Sequence, residues 1–180
     1  MTSTTTTRGD QPATGTRHEP SAATRIVAGV TRLALGWVFL WAFLDKTFGL
    51  GFATPADAAW LEGGSPTTGY LSSIDGTFAD LFNGMAGNAW ADWLFMLGLL
   101  GIGLALVLGI FMNLAAISAT VMLLLMWMAA LPLENNPFLD DHLVYAAVAV
   151  LLALLGAGRW VGLGAMWERL PFVQRFPLLK

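Results

Sequence analysis

The chain has 180 residues, of which 56% are hydrophobic and only 12% are charged. A soluble domain usually carries about 25% charged residues. With the apolar residues gathered in a few long runs, this composition predicts a membrane protein rather than a soluble one. The absence of cysteine excludes a disulfide, an iron–sulfur cluster and thioether-linked haem on this chain. With two histidines and no ligand cluster in the apolar runs, neither a bis-histidine haem nor a metal site is expected.

The apolar runs predict an all-α membrane protein built as a bundle of four transmembrane helices. Residues 1–24 are rich in Thr, Ser, Gly and Pro and predict a disordered tail, without the apolar region and cleavage site of a signal peptide. About 20 helical residues cross a hydrocarbon core of about 30 Å. Four such segments fill the transmembrane domain, residues 25–160. The predicted helices cover about residues 26–50, 91–112, 114–131 and 140–160.

The connections between these helices differ greatly in length. Asn113 alone separates the second and third runs, which predicts a tight turn near it. The first loop is long, and Thr54-Pro55 predicts the start of one short helix in it, with residues 74–85 forming a second. Aromatic residues in this loop favour a position on the membrane surface. Basic and aromatic residues alternate over residues 161–180, which predicts an interfacial tail.

The basic residues are distributed unevenly between the two sides of the predicted bundle. With four crossings both termini lie on one side, and that side holds all but one of the nine lysines and arginines. The positive-inside rule makes this side cytoplasmic, and the long first loop extracytoplasmic. Lys46 is the single exception on the outer side. The residues on the cytoplasmic side are Arg8, Arg17, Arg25, Arg32, Arg159, Arg169, Arg175 and Lys180.

Rows of small residues predict where the helices pack. Lipid supplies little hydrophobic driving force between helices, so close approach through small side chains matters. Packing within the chain is the favoured interpretation of these rows, and a homodimer contact is the alternative. The rows are Gly101, Ala105 and Gly109 on the second helix, Ala115 and Ala119 on the third, and Ala149, Ala153 and Ala157 on the fourth.

The ionisable residues of the first helix are the first candidates for function. Arg32 and Asp45 are separated by roughly 20 Å along a helix, which is less than the hydrocarbon thickness. Either Arg32 or the Asp45-Lys46 pair therefore lies inside the apolar zone, where ionisable groups are functional candidates. The alternative is that Arg32 extends along the helix to reach the lipid phosphates.

Two tryptophans of the same helix predict a surface for a flat ring. Trp37, Trp41 and Asp45 follow one another at intervals of four residues and share one helical face. Such a row could form the wall of a pocket next to a carboxylate. Ordinary packing, or an aromatic belt at the membrane interface, is the competing interpretation.

The loop before the fourth helix is the second candidate site. It ends in Asp140, Asp141 and His142. Asp140 is a natural N-cap, which accounts for one of the two aspartates. A histidine near neutral pH can take up or release a proton, and a neighbouring carboxylate can orient it. If the first and fourth helices touch, Asp45 and Lys46 are expected to approach Asp141 and His142.

Three segments together resemble the DoxX/DoxD-like family of membrane proteins, most closely the DoxD side. They read RLALGWVFLWAFLDK at residues 32–46, WLEGGSPTTGYL at residues 60–71 and NPFLDDH at residues 136–142. The resemblance covers about residues 32–167. It implies a four-helix membrane fold and a link to thiosulfate:quinone oxidoreductase, whose large membrane subunit belongs to this family. That enzyme oxidises thiosulfate to tetrathionate, reduces a membrane quinone and works with a smaller partner subunit.

Three functions follow as hypotheses. The first is a membrane subunit of a quinone-linked oxidoreductase, with His142, Asp141, Lys46 and Asp45 as catalytic residues. In it Trp37, Trp41 and Arg32 bind the quinone, and no haem, iron–sulfur cluster or metal is expected. The second is a non-catalytic subunit that anchors or assembles a respiratory or redox complex, and the third is a small transporter. The middle of the later helices carries no ionisable residue, which disfavours an ion path.

The expected surroundings are the same for the first two hypotheses. The chain is predicted to be a multi-pass protein of a prokaryotic-type plasma membrane. Its partners are membrane lipid and either a small subunit or a larger redox complex, with no nucleic acid. The acidic outer side is unfavourable for an anionic substrate, since Lys46 is the only lysine or arginine there.

Overall fold

A computed structural model describes residues 19–180, and this part of the chain is helical without a β-strand. The predicted tail up to residue 18, including Arg8, Arg17 and His18, lies outside the described residues. Eight α-helices follow one another in the described part, together with four short 3₁₀ turns. The helices are α1 (Ala22–Phe48), α2 (Thr68–Ser72), α3 (Ala79–Asn83), α4 (Ala89–Leu108), α5 (Met112–Ala129), α6 (Asp141–Leu154), α7 (Gly164–Trp167) and α8 (Pro171–Arg175).

Among the described residues, three helices are long and apolar enough to cross a membrane, namely α1, α4 and α5. α6 is apolar too but has only 14 residues. Many large apolar side chains on these four helices are exposed, as expected where lipid rather than water surrounds the protein. They include Val27, Val30, Leu94, Leu97, Ile117, Val121, Val144 and Leu154.

The predicted helix ends and the observed ones differ by a few residues. α1 begins earlier than residue 26, because the Ser21 hydroxyl caps it by accepting from the Thr24 N–H at 3.1 Å. α4 ends at a left-handed Gly109 with φ 76°, and Phe111 is also left-handed, so the break precedes Asn113, which lies inside α5. α6 stops at Leu154, before a left-handed Gly156. A 3₁₀ turn, rather than continued α-helix, then covers residues 157–159.

Glycine controls the contact between α1 and α4. A Cβ on Gly36 would lie 2.9 Å from the Leu106 Cβ, and one on Gly103 would lie 2.9 Å from the Leu40 nitrogen. These two glycines let the backbones approach closely. Gly101, which belongs to the predicted row, instead faces open space.

α5 and α6 pack together extensively, and α4 joins this pair to α1. The alanine rows of α5 and α6 lie in the core as predicted. Ala119, Ala149 and Ala157 are completely buried, and Ala115 is nearly so. These rows therefore serve packing within the chain.

The long loop after α1 covers the end of the bundle opposite to the start of α1 and to Lys180. Its α2 and α3 pack with the last turn of α5 in a small apolar cluster around Leu71, Phe82 and Ala129. The Thr77 N–H donates to the Leu131 carbonyl at 3.2 Å, which ties the loop to the start of the α5–α6 connection. Where Thr54-Pro55 predicted a helix, the chain forms two 3₁₀ turns, Ala56–Ala58 and Trp60–Glu62.

The two ends of the bundle have opposite charge. We call the end formed by residues 49–88 and 130–142 the acidic end, together with the adjoining Asp45, Lys46 and Asp92. We call the end formed by residues 19–32, 109–113 and 155–180 the basic end. Lys46 is the only lysine or arginine of the acidic end, whereas Arg25, Arg32, Arg159, Arg169, Arg175 and Lys180 belong to the basic end.

Candidate functional site

Arg32 lies at the basic end and is completely buried. Its guanidinium donates to the carbonyls of Leu106 and Val107 in the last turn of α4, and to those of Trp160 and Val161. The last carbonyls of a helix lack partners within the helix and carry partial negative charge, so a buried cation suits this position. The side chain joins α1, α4 and the segment after α6. It does not extend to the lipid phosphates, and a quinone could not contact it without rearrangement of these elements.

Asp45 is also buried, with 2% of its surface exposed. Its two carboxylate oxygens accept from the Phe52 N–H at 3.2 Å and the Ala53 N–H at 3.0 Å. A carboxylate that accepts from two backbone N–H groups fixes the turn that leaves α1. Both oxygens already have partners, which favours a structural role for this predicted catalytic residue.

Lys46 is in a different situation from its neighbour. The side chain is half-buried, and its Nζ lies 6.0 Å from the centre of the Phe95 ring on α4. No carboxylate lies within ion-pair distance of it in the described part of the chain. A cation–aromatic contact at this distance is weak. The ammonium group is therefore available to an anion or to a carbonyl oxygen of a ligand.

Trp37 and Trp41 form an aromatic row on α1, with ring centres 5.7 Å apart. The row continues to Phe52, whose ring meets Trp41 edge to face at 5.1 Å. It does not continue to a free carboxylate, since Asp45 points into the turn described above. Trp37 is 52% exposed, so the row lies on the outer surface of the bundle and can contact lipid or a flat ring.

His142 forms a close pair with Asp140 at the mouth of α6. The Nδ1 of His142 lies 2.6 Å from Oδ2 of Asp140, and the histidine side chain is 20% exposed. The other oxygen of Asp140 accepts from the Leu143 N–H at 3.3 Å and caps the helix, as predicted. A carboxylate at Nδ1 favours the proton on that nitrogen, so that Nε2 can accept a proton or, in the imidazolium, donate one.

Asp140, rather than Asp141, is thus the carboxylate that orients His142. Asp141 lies 3.6 Å from the same Nδ1, and its side chain is 68% exposed. The sequence pattern assigned the capping role to one aspartate and the chemical role to the other. In the structure Asp140 has both roles, because its two oxygens point in different directions. This assignment could not be made from spacing alone.

Tyr70 belongs to α2 in the long loop, and its hydroxyl group is close enough to Asp140 to be affected by its charge. Partial burial and the negative charge of Asp140 raise the pKa of the Tyr70 hydroxyl above its usual range. Sequence reasoning identified Tyr70 only as an interfacial aromatic residue. The signal that could have found it is its place in the segment at residues 60–71, which carries part of the family resemblance.

A second buried carboxylate, Asp92, was not predicted as important. Its Oδ1 accepts from the Ser65 hydroxyl at 2.9 Å, the Thr67 hydroxyl at 2.6 Å and the Thr67 N–H at 3.1 Å. Asp92 lies in the first turn of α4, where a negative charge suits the helix end. It holds the long loop against the bundle.

The two predicted halves of the site are not directly joined. α1 and α6 do touch. However, no hydrogen bond or ion pair in the described residues links Asp45 or Lys46 to Asp141 or His142. That Asp45 and Lys46 lie close to Asp141 and His142 therefore stays a prediction.

The same loop could also be considered for a metal ion. Ligand atoms of Asp140, Asp141 and His142 lie within 4.8 Å of one another. Both oxygens of Asp140 are already engaged with the chain, and the three residues are adjacent in sequence. The arrangement is therefore described better as a histidine–carboxylate pair with an exposed neighbour.

Comparisons of the chain with protein families, with curated proteins and with solved structures find no match.

Proposed function

We propose that this chain is the membrane subunit of a quinone-linked oxidoreductase that acts at the acidic end of the bundle. The observation that carries the proposal is the His142–Asp140 pair, a proton-transfer group at the mouth of an apolar helix. Reduction of a quinone consumes two electrons and two protons, so its site needs a proton donor close to the lipid. The imidazolium of His142 donates from Nε2 to a quinone oxygen, while Asp140 orients the ring.

The proposed topology places this site on the outer side of the membrane. α6 is the fourth crossing beside α1, α4 and α5, so both termini lie at the basic end. The positive-inside rule assigns the basic end to the cytoplasm of a plasma membrane. Protons for the quinone then come from the outer side through His142.

Thiosulfate is the proposed electron donor, on the strength of the resemblance to DoxD-like proteins. Two thiosulfate ions form one S–S bond in tetrathionate and release two electrons, which reduce one quinone to quinol with two protons. Lys46, the half-buried cation of the acidic end, is the group of this chain suited to an anion. Since that end is otherwise acidic, a small partner subunit supplies further positive charge and any bound redox group.

Native mass spectrometry of the tagged protein, gently extracted from its own membranes, tests the proposal first. We expect a bound quinone and a stoichiometric small partner. In the same preparation His142→Gln should lower thiosulfate-dependent quinone reduction by about 100-fold or more. Glu134→Gln is the control, since that exposed carboxylate lies in the same loop. Full activity of His142→Gln, or a preparation without quinone, would contradict the proposal.

A second function, a non-catalytic anchor for a redox complex, is favoured by a separate observation. Arg32, Asp45 and Asp92 use their polar atoms on the chain's own loops and helix ends. A subunit that only assembles a complex needs this kind of rigidity and no proton-transfer group. It predicts that His142→Ala leaves complex activity unchanged, whereas substitution of Gly103 abolishes assembly.

A further inference from the structure

An apolar groove runs along the outside of the bundle between α5 and α6. It has a volume of about 580 Å³ and opens to the surroundings of the protein. It lies toward the basic end, because α5 begins there and α6 ends there. Its lining residues are Asn113, Ala116, Ile117, Thr120, Val121, Val150, Ala153, Leu154, Pro177 and Leu178.

The lining of this α5–α6 groove suits a hydrocarbon chain. Its two polar side chains are already engaged, since the Thr120 hydroxyl donates to the Ala116 carbonyl at 2.7 Å and the Asn113 amide donates to the Pro177 carbonyl at 2.9 Å. The stretch of α5 from Asn113 to Val121 rises roughly 12 Å. That is close to the hydrocarbon depth of one leaflet, about half of 30 Å.

The C-terminal segment closes the groove at the basic end and is held firmly there. The backbone N–H of Asn113 donates to the Lys180 carbonyl at 2.9 Å, and the Trp167 indole donates to the Leu179 carbonyl at 2.6 Å. Pro177 and Leu178 therefore form a fixed wall.

Positive charge flanks this wall on both sides. Arg175 and Lys180 each lie two residues from it along the chain, a distance of at most about 7 Å between Cα atoms. The ion pairs at this end join Arg159 to Glu168 and Arg25 to Glu19, and within the described residues neither Arg175 nor Lys180 has a carboxylate partner. An anion bound beside Pro177 and Leu178 would therefore lie near two basic residues of the chain.

We propose that the α5–α6 groove binds one acyl chain of an anionic phospholipid from the leaflet at the basic end. Arg175 and Lys180 bind its phosphate, and the groove holds the chain down to about Val121. A quinone tail or a second copy of the protein would fill the apolar groove equally well, but neither brings the negative charge that its rim complements.

Native mass spectrometry of the purified full chain tests this site, with phosphatidylglycerol and phosphatidylcholine as competing probes. We expect one retained phosphatidylglycerol per chain. Removing both charges, in Arg175→Gln with Lys180→Gln, should weaken phosphatidylglycerol binding about 30-fold and leave phosphatidylcholine binding unchanged. Equal retention of the two lipids by the unaltered protein would overturn the proposal.

Filling the groove gives a second, independent measurement. Ile117→Trp should abolish retention of phosphatidylglycerol, because the indole occupies the space of the chain. Leu114→Trp is the matched control, since Leu114 is 41% exposed on the same helix and is not part of the groove. If Ile117→Trp retains the lipid, or if it instead removes a dimer or a bound quinone, the phospholipid assignment is wrong. Circular dichroism establishes that each variant is folded.

Discussion

Arg32 and Lys46 lie on the same helix, fourteen residues apart, and the structure treats these two cations in opposite ways. Arg32 is enclosed at the basic end and bonded to four carbonyls. Lys46 at the acidic end is half-buried and has no ion-pair partner among residues 19–180. The difference teaches that a charged side chain within an apolar helix can have a structural role or be open to ligands. The hydrogen bonds and ion pairs that the side chain forms distinguish the two cases.

Substitution of Arg32 is the strongest test of this comparison. Arg32→Leu should lower the free energy of unfolding by about 3–5 kcal/mol, because several buried carbonyl oxygens lose their donor together. The measurement is unfolding by added dodecyl sulfate in mixed micelles, followed by circular dichroism. Arg159→Gln is the control, since it removes an exposed ion pair and should cost less than about 1 kcal/mol. Equal stability of the two variants would refute the structural role.

The next effect compares Gly103 with Gly101, two of the three glycines of α4. Gly103→Ala should destabilise the protein by about 1–3 kcal/mol, since the new Cβ meets the backbone of Leu40. Gly101→Ala has the same chemistry but faces open space, and should be neutral or slightly stabilising. The same unfolding measurement compares the pair. A loss at Gly101 similar to that at Gly103 would indicate a contact with another chain.

Substitution of Lys46, unlike that of Arg32, should affect substrate binding rather than stability. Lys46→Gln is expected to change stability by less than about 1 kcal/mol, because Lys46 forms no ion pair with the described residues. If the proposed function holds, it should raise the KM for the anionic substrate about tenfold while kcat changes less. Lys46→Arg should restore most of the affinity. Steady-state kinetics separate the two parameters, and an unchanged KM would remove Lys46 from the site.

The smallest effect is the ionisation of Tyr70. Its pKa is raised by burial and by the Asp140 charge, so the folded state disfavours the phenolate. Stability present at neutral pH should therefore fall as the pH rises above about 10, the pKa of an unfolded tyrosine. Asp140→Asn should lower the Tyr70 pKa toward its usual value. Phenolate absorbance, with Tyr70→Phe subtracted, measures the shift, and no change in Asp140→Asn would place Tyr70 away from the site.

Much of the architecture could be predicted from the sequence because it depends on local pattern. Apolar runs indicate the long helices, alanine spacing indicates the packing faces of α5 and α6, and Asp140 has a capping signature. The break between α4 and α5 was displaced because Gly109, a residue suited to a left-handed end, precedes the asparagine on which the prediction rested.

The partners of the candidate site residues could not be predicted in the same way. Arg32 bonds to carbonyls that lie more than seventy residues away, and backbone acceptors have no sequence signature. The backbone N–H groups that donate to the Asp45 carboxylate likewise have no sequence signature. The spacing argument identified Arg32, Asp45 and Lys46 as ionisable groups within or near lipid. It did not indicate which of the three has a structural role and which is open to a ligand.

The helices of the bundle also differ greatly in length. α1 has 27 residues and rises about 40 Å, whereas α6 has 14 residues and rises about 21 Å. If α6 is a crossing, it is too short for a hydrocarbon core of about 30 Å, whereas α1 is long enough and must tilt to fit. If α6 is a crossing anchored at the basic end, His142 lies several ångströms below the phosphate level of the other leaflet. A ring carried on a lipid tail then reaches this histidine without leaving the bilayer.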